Sequence, residues 1–327
     1  MNQFDNSSRQ FMIIAGIVTT IFGLIGNILN ICVFTNWSRS RTITNQRPIK
    51  SQTSNSPLYL LVSSIANIIV IAYPLLTRIL FDGYEYPITQ NNMIFLCKLR
   101  YYVLHSFDTI SWLCLSMAIF DRYLVSSREA RLRQLSKTRQ QTKLIILFIV
   151  CLIGLHSIPI AIYYNVSTSG HCIIYSTSYL FYYRYAMQIF LHGIVPIIFF
   201  STFGFLTYKQ LKMIKNRQNT NKNINVDKQL SQMLLLISIT IVISAIPYSA
   251  ESIYYLIFVD NGQQQTSDVP FFHIISSLLF YTNSICSFYV YYVSTQNFRV
   301  QVQKLICCKK DLNRFMNNQV NTITSAQ

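Results

Sequence analysis

Inside stretches of this 327-residue chain that are otherwise apolar stand a few side chains able to hold charge or pass a proton. They are His105, Asp108, Gln188, His192, Glu251 and Tyr281, and at the end of one stretch the triplet Asp121-Arg122-Tyr123. Ionisable groups in an apolar setting are costly unless they face one another or a wet cavity, so they mark where a ligand or ion is handled. His105 stands one helical turn before Asp108 and can pair with it. Gln188 and His192 lie two turns and one turn before Pro196, and Glu251 one turn after Pro247. With Tyr281 these residues make a candidate ligand pocket, polar and partly acidic, although Asp108 and His105 can equally serve only to satisfy each other. No nucleotide-binding loop, metal-ligand cluster or catalytic triad occurs in the sequence, so no enzyme activity, cofactor or metal is expected.

The elements that must hold these side chains are membrane helices. Hydrophobic residues make up 51% of the chain and charged residues 12%, with the charges clustered between apolar stretches. That clustering separates the net charge of +16 from the basic surface of a nucleic-acid binder. The stretches run from Phe11 to Phe34, Pro57 to Leu76, Met93 to Phe120, Leu144 to Tyr164, Ala186 to Leu206, Leu230 to Phe258 and Phe271 to Val293. Each approaches or exceeds the roughly 20 residues a spanning helix needs. The expected fold is an all-α, seven-transmembrane helix bundle, with residues 1–10 as an extracellular N-terminus and 11–294 as the spanning domain. A short amphipathic membrane-surface helix (295–308) and a cytoplasmic tail (309–327) follow. The polar stretch Asn216 to Asp227 reads as a mobile loop, and span one as its own targeting signal.

Basic residues orient the bundle. Four lie between spans one and two, seven between three and four, six between five and six and five after span seven, placing 22 of 27 on one side. By the positive-inside rule that side is cytoplasmic and the N-terminus is outside. A helix from Cys97 to Asp121 reaches about 36 Å, so Cys97 and the triplet belong to opposite faces of one membrane. Asp108 and Arg122, fourteen residues apart, fall within roughly 40° of each other around that helix and both turn inward.

Cys97 and Cys172 are the cysteines expected on the oxidising side, and a disulfide between them would pin the loop after span four over the bundle. Asn6 and Asn165 open glycosylation sequons on that same side. Cys307 and Cys308 follow the amphipathic run Phe298 to Ile306 and are candidates for acylation at the inner membrane surface. Pro74, Pro159, Pro196 and Pro247 interrupt spans two, four, five and six. Pro196 and Pro247 are the candidate hinges, because the longest inner extensions hang from their helices.

Taken in order, these motifs resemble a rhodopsin-like (class A) G protein-coupled receptor of the peptide-receptor type. Gly26-Asn27 resembles the family's helix-one pair, Cys97 and Cys172 its disulfide, Asp121-Arg122-Tyr123 its G-protein-coupling triplet, and Pro196 and Pro247 its prolines of helices five and six. Asn283-Ser284, Tyr291 and Phe298-Arg299 resemble the passage from helix seven into helix eight. The resemblance implies that Arg122 pairs with Asp121 at rest and meets a heterotrimeric G protein when helix six swings out, with Tyr123 and Tyr291 part of the switch. The chain departs from the pattern at Asn67, where a sodium-holding aspartate is usual, at Ala245 in place of a tryptophan, and at Ser287-Phe288 in place of asparagine-proline. Helix four has no tryptophan, and Tyr208 lies one turn later than the usual tyrosine of helix five.

The resemblance also narrows the ligand. Span seven has no lysine to hold retinal, and Leu104 stands where amine receptors place an aspartate. Asp108, Glu251, Asp260 and Asp268 point to an extracellular neuropeptide with a basic residue. Two other classes fit less of the pattern: a receptor-like scaffold or decoy that does not signal, and a transporter or channel using Asp108, His105 and Glu251 as an ion route. Membrane lipids are expected partners of the basic loops, and nucleic acid is not.

Overall fold

The computed structural model describes residues 3–44, 55–84, 90–127, 129–167, 172–215, 222–254 and 269–306. Cys307, Cys308, the tail, Asp260 and Asp268 lie outside the described residues. Among those described, seven helices are long and apolar enough to cross a membrane: Ser7–Ser38, Ser56–Phe81, Ile94–Val125, Arg139–Tyr163, Thr177–Lys209, Gln229–Glu251 and Ile274–Ser294. These are spans one to seven. Helices satisfy every backbone N–H and C=O internally, which is the condition for crossing hydrocarbon. Outward-facing side chains such as Ile21, Phe22, Leu147, Phe148, Ile198, Phe205 and Ile243 are large, apolar and more than half exposed, as a lipid-facing surface requires.

Span three lies at the centre, packed against spans two, four, five and six, while span one packs on two and seven. The main core gathers Val33, Leu60, Cys114, Leu115, Ile119, Phe200, Met233, Leu234, Ile237, Phe288 and Phe298 from six spans and the helix Gln296–Ile306. Gly26 lets spans one and seven close up: a Cβ there would stand 2.9 Å from Phe288 Cβ, which is fixed to its own backbone. The helix Gln296–Ile306 buries Phe298 and Val302 and leaves its polar face open, the amphipathic element expected after span seven.

Several boundaries move. The first helix starts at Gln3, so the Asn6 triplet lies in helix. The helix of span six begins at Lys222, inside the stretch expected as a loop, since extending a helix already nucleated by buried Leu230, Met233 and Leu234 adds one hydrogen bond per residue fixed. Between spans three and four a short helix, Ala130–Gln134, is followed by a capping box in which Thr138 and Gln141 satisfy each other's backbone N–H. Span four ends at Tyr163 and Tyr164 opens a strand, β1 (Tyr164–Val166), which pairs antiparallel with β2 (Cys172–Ile174). Cys172 is bonded to Cys97, so the hairpin is stapled to span three as expected. Asn165 sits half-buried in β1, its Oδ1 accepting the N–H of Val166.

The prolines act locally in three different ways. Pro74 lies in a π turn, Ile71–Leu75, and Pro196 opens the α-helix Val195–Lys215 just after a π segment, Tyr183–Ile194. Pro159 begins a new helical piece after a break at Ser157, while Pro247 lies inside the unbroken helix Lys222–Tyr254. Proline lacks an N–H and its ring crowds the carbonyl four residues back, so the turn at or before Pro74, Pro159 and Pro196 widens or breaks, whereas the helix carries Pro247 without interruption.

Candidate functional site

At the disulfide end the bundle opens into a cavity of about 700 Å³. Spans two, three, five, six and seven and the β-hairpin wall it, and its size is that of a small-molecule or peptide-end site. Of the candidate pocket residues, His105, Gln188 and Glu251 line it. Asp108 and His192 do not: they border a second, deeper chamber of about 30 Å³. Tyr281, almost fully buried, borders neither and packs in the core between spans one, two and seven.

The pairing inside span three also differs from expectation. Asp108 is joined to His192, its Oδ2 lying 3.2 Å from His192 Nδ1, instead of to His105. The imidazole of His105 turns across the bundle, with Nδ1 3.3 Å from His192 Nε2 and Nε2 bonded to the Tyr183 hydroxyl. Side chains in a helix lean toward its N-terminus, so His105 points up toward the cavity while the shorter Asp108 meets span five directly. The π segment of span five presents Tyr183, Gln188 and His192 inward. Gly193 keeps that segment close to span six, since a Cβ there would meet Ser249 Oγ at 2.7 Å. A hydrogen-bonded chain thus runs from the cavity wall, Tyr183 and His105, through His192 to Asp108 in the deeper chamber. Ala245, where the family places an indole, lines that chamber together with Trp112 of span three and Phe280 of span seven.

Three arginines line the large cavity and were not among the candidate residues: Arg78, Arg100 and Arg184. Their signal is in the basic-residue census. They are three of the five basic residues that fall outside the segments carrying the other 22, and the positive-inside rule gives no reason for a cation there. Tyr101, Tyr164 and Tyr248 complete the wall; Gln188 donates to the Tyr248 hydroxyl at 3.1 Å. Glu251 accepts from Ser276 and is the one carboxylate bordering the cavity among the described residues.

At the opposite end, Asp121 anchors the start of span two. Its Oδ2 accepts the backbone N–H groups of Asn55 and Ser56 at 3.0 and 3.1 Å and the Ser56 hydroxyl at 2.9 Å, and its Oδ1 accepts from Ser136 at 3.3 Å. A carboxylate placed on the unsatisfied amides of a helix N-terminus stabilises it by about 1 kcal/mol. Arg122 is fully buried and donates from Nε to Ser56 Oγ at 3.2 Å, so one serine bridges the acid and the base of the triplet. Tyr123 meets Phe203 of span five edge-on, and Tyr291 is held among Phe34 and Phe298.

Between the two ends a polar network contains no carboxylate. Asn67 Oδ1 accepts from Ser111 at 2.6 Å, Ser111 contacts Ser63 at 2.9 Å, and Asn67 Nδ2 reaches Asn27 Oδ1 at 3.4 Å. Asn27 in turn donates to the Ser284 carbonyl at 2.8 Å, tying spans one, two, three and seven with neutral groups. Among the described residues no cluster of His, Cys, Asp or Glu could hold a metal ion. A model of the family described as 7 transmembrane receptor (rhodopsin family) matches residues 52–291. No curated protein matches the chain.

Proposed function

The chain belongs to the rhodopsin family of seven-transmembrane receptors, which makes it a multi-pass plasma-membrane receptor of the G protein-coupled class, and from that premise we propose that it binds an extracellular peptide and activates a heterotrimeric G protein. The observation that carries this reading is the layout of span three. One helix supplies His105 to a ligand-sized cavity at the disulfide end and buries Arg122 at the other. The N-terminus is outside, with carbohydrate on Asn6 and Asn165, and Cys307 and Cys308 carry acyl chains inside. A basic residue of the peptide would meet Glu251, because Asp108 is sequestered below by His192.

Ligand binding shifts a pre-existing equilibrium only by its differential affinity for the two states. Here the chain Tyr183, His105, His192, Asp108 gives the cavity a direct connection to spans three and five, and Pro196 and Pro247 lie where those motions would hinge. The reading is tested by nucleotide exchange on a panel of G proteins in cells expressing the receptor, challenged with a peptide library. Receptor-dependent exchange is expected; binding without exchange on any G protein would leave the non-signalling scaffold. The neutral network around Asn67 carries a further expectation: agonist affinity changes by less than about twofold when sodium replaces an inert cation, since the amide supplies no charge to balance the ion. A several-fold sodium effect in a binding assay would contradict it.

A further inference from the structure

Span three carries a buried donor that no protein group receives. Trp112 is 4% exposed, and its indole Nε1–H finds no acceptor among the described residues. The residue borders the deeper chamber of about 30 Å³, together with three side chains that have bonding capacity to offer. Asp108 meets His192 through Oδ2, which leaves Oδ1 to accept another bond. Ser244 donates to the Ile241 carbonyl at 3.1 Å, which leaves the lone pairs of its Oγ. Asn283 brings an amide, at once donor and acceptor. We propose that the chamber is a water site, in which roughly two ordered molecules join the Trp112 N–H and Asp108 of span three to Ser244 of span six and Asn283 of span seven. The inference goes beyond the receptor reading, because it holds whatever enters the large cavity.

A water needs roughly 10–15 Å³ of such space and two to four polar partners, and the chamber supplies both. The space exists because span six contributes the small side chains Ser244 and Ala245 to its wall. Water suits a wall of mixed character, since one molecule can accept from the indole and donate to a carboxylate or hydroxyl oxygen. A hard cation would need oxygen ligands alone, whereas Trp112 presents an N–H and one oxygen of Asp108 is already held by His192. An apolar occupant would leave the buried N–H unpaired, which is costly. The consequence is connection. Asp108 ends the hydrogen-bonded chain that starts at Tyr183 and His105, and the waters carry that chain on to spans six and seven beside Pro196.

The test uses the purified full-length receptor in lipid nanodiscs and needs neither ligand nor G protein. The chain has two tryptophans, so Trp37→Phe leaves Trp112 as the sole indole, and ultraviolet resonance Raman spectroscopy reads whether its N–H is hydrogen-bonded. The band of a bonded indole is expected. Ala245→Leu, which adds three carbons beside the chamber, should shift it to that of a free indole. A second measurement on the parent chain needs no substitution: hydroxyl radicals made by an X-ray pulse in oxygen-18 water label side chains that touch bound water. Corrected for residue reactivity, Trp112 should take up at least about tenfold more label than the fully buried rings Phe34 and Phe298. A free-indole band in the parent, or label at Trp112 no higher than at those rings, overturns the proposal. So does a bonded band in an Ala245→Leu receptor that melts like the parent, because a protein group is then the acceptor; if that variant does not fold, the label on the parent decides alone. Label at Trp112 that falls several-fold when sodium replaces an inert cation puts an ion in the chamber and also overturns it.

Discussion

Arg122→Ala is expected to abolish ligand-driven nucleotide exchange while ligand affinity stays within a few-fold of the parent. Arg122 is fully buried, and its Nε bond to Ser56 places it at the foot of spans two and three, on the far side of the bundle from the cavity. The fold should survive, because Asp121 keeps its four bonds to Asn55, Ser56 and Ser136 and continues to cap span two. Arg122→Lys should not restore coupling, since an ammonium lacks the planar fork that meets backbone carbonyls and carboxylates together. Exchange assays beside saturation binding on the same membranes check both halves; parent-like exchange in the alanine variant would show that the triplet is only structural here.

Breaking the Cys97–Cys172 staple is the second large effect. Loop-closure entropy for a bridge spanning 75 residues sets an upper bound of about 4.5 kcal/mol on its contribution. Its functional weight lies in what it positions. The hairpin carries Tyr164, whose ring stacks on Tyr101, and Tyr101 in turn lies against Arg100. Cys97→Ser should therefore lower surface expression several-fold and ligand affinity at least tenfold, with the affinity loss persisting in the fraction that reaches the membrane. Flow cytometry with binding on the sorted cells measures the two separately. Unchanged affinity would mean that the cavity wall stands without the bond.

The spans, their order and the bond between Cys97 and Cys172 were legible in the sequence because bilayer thickness and redox compartment impose strong, one-dimensional constraints on residue type. Gly26 was legible as part of a motif, and Phe288 beside it supplies the physical reason. The side-chain pairing was less so. His105 and Asp108 are one turn apart on one helix, yet the preferred partner of each lies on span five, where a π segment that sequence periodicity does not reveal changes which residues turn inward. The three arginines that line the cavity were missed for a related reason. Acidic residues inside spans draw notice, while Arg78, Arg100 and Arg184, near the span ends on the disulfide side, pass as ordinary interfacial cations that reach toward water. Helix six shows the opposite error, a helix extending to Lys222 through residues whose polar composition reads as loop.

All of these expectations require that the cavity face the outside and Arg122 the inside. Epitope tags placed before Gln3 and after the last residue, probed by antibody on intact and then permeabilised cells, test that directly. The N-terminal tag should be labelled on intact cells and the C-terminal tag only after permeabilisation. Both tags on one side, or the reverse pattern, would contradict the account.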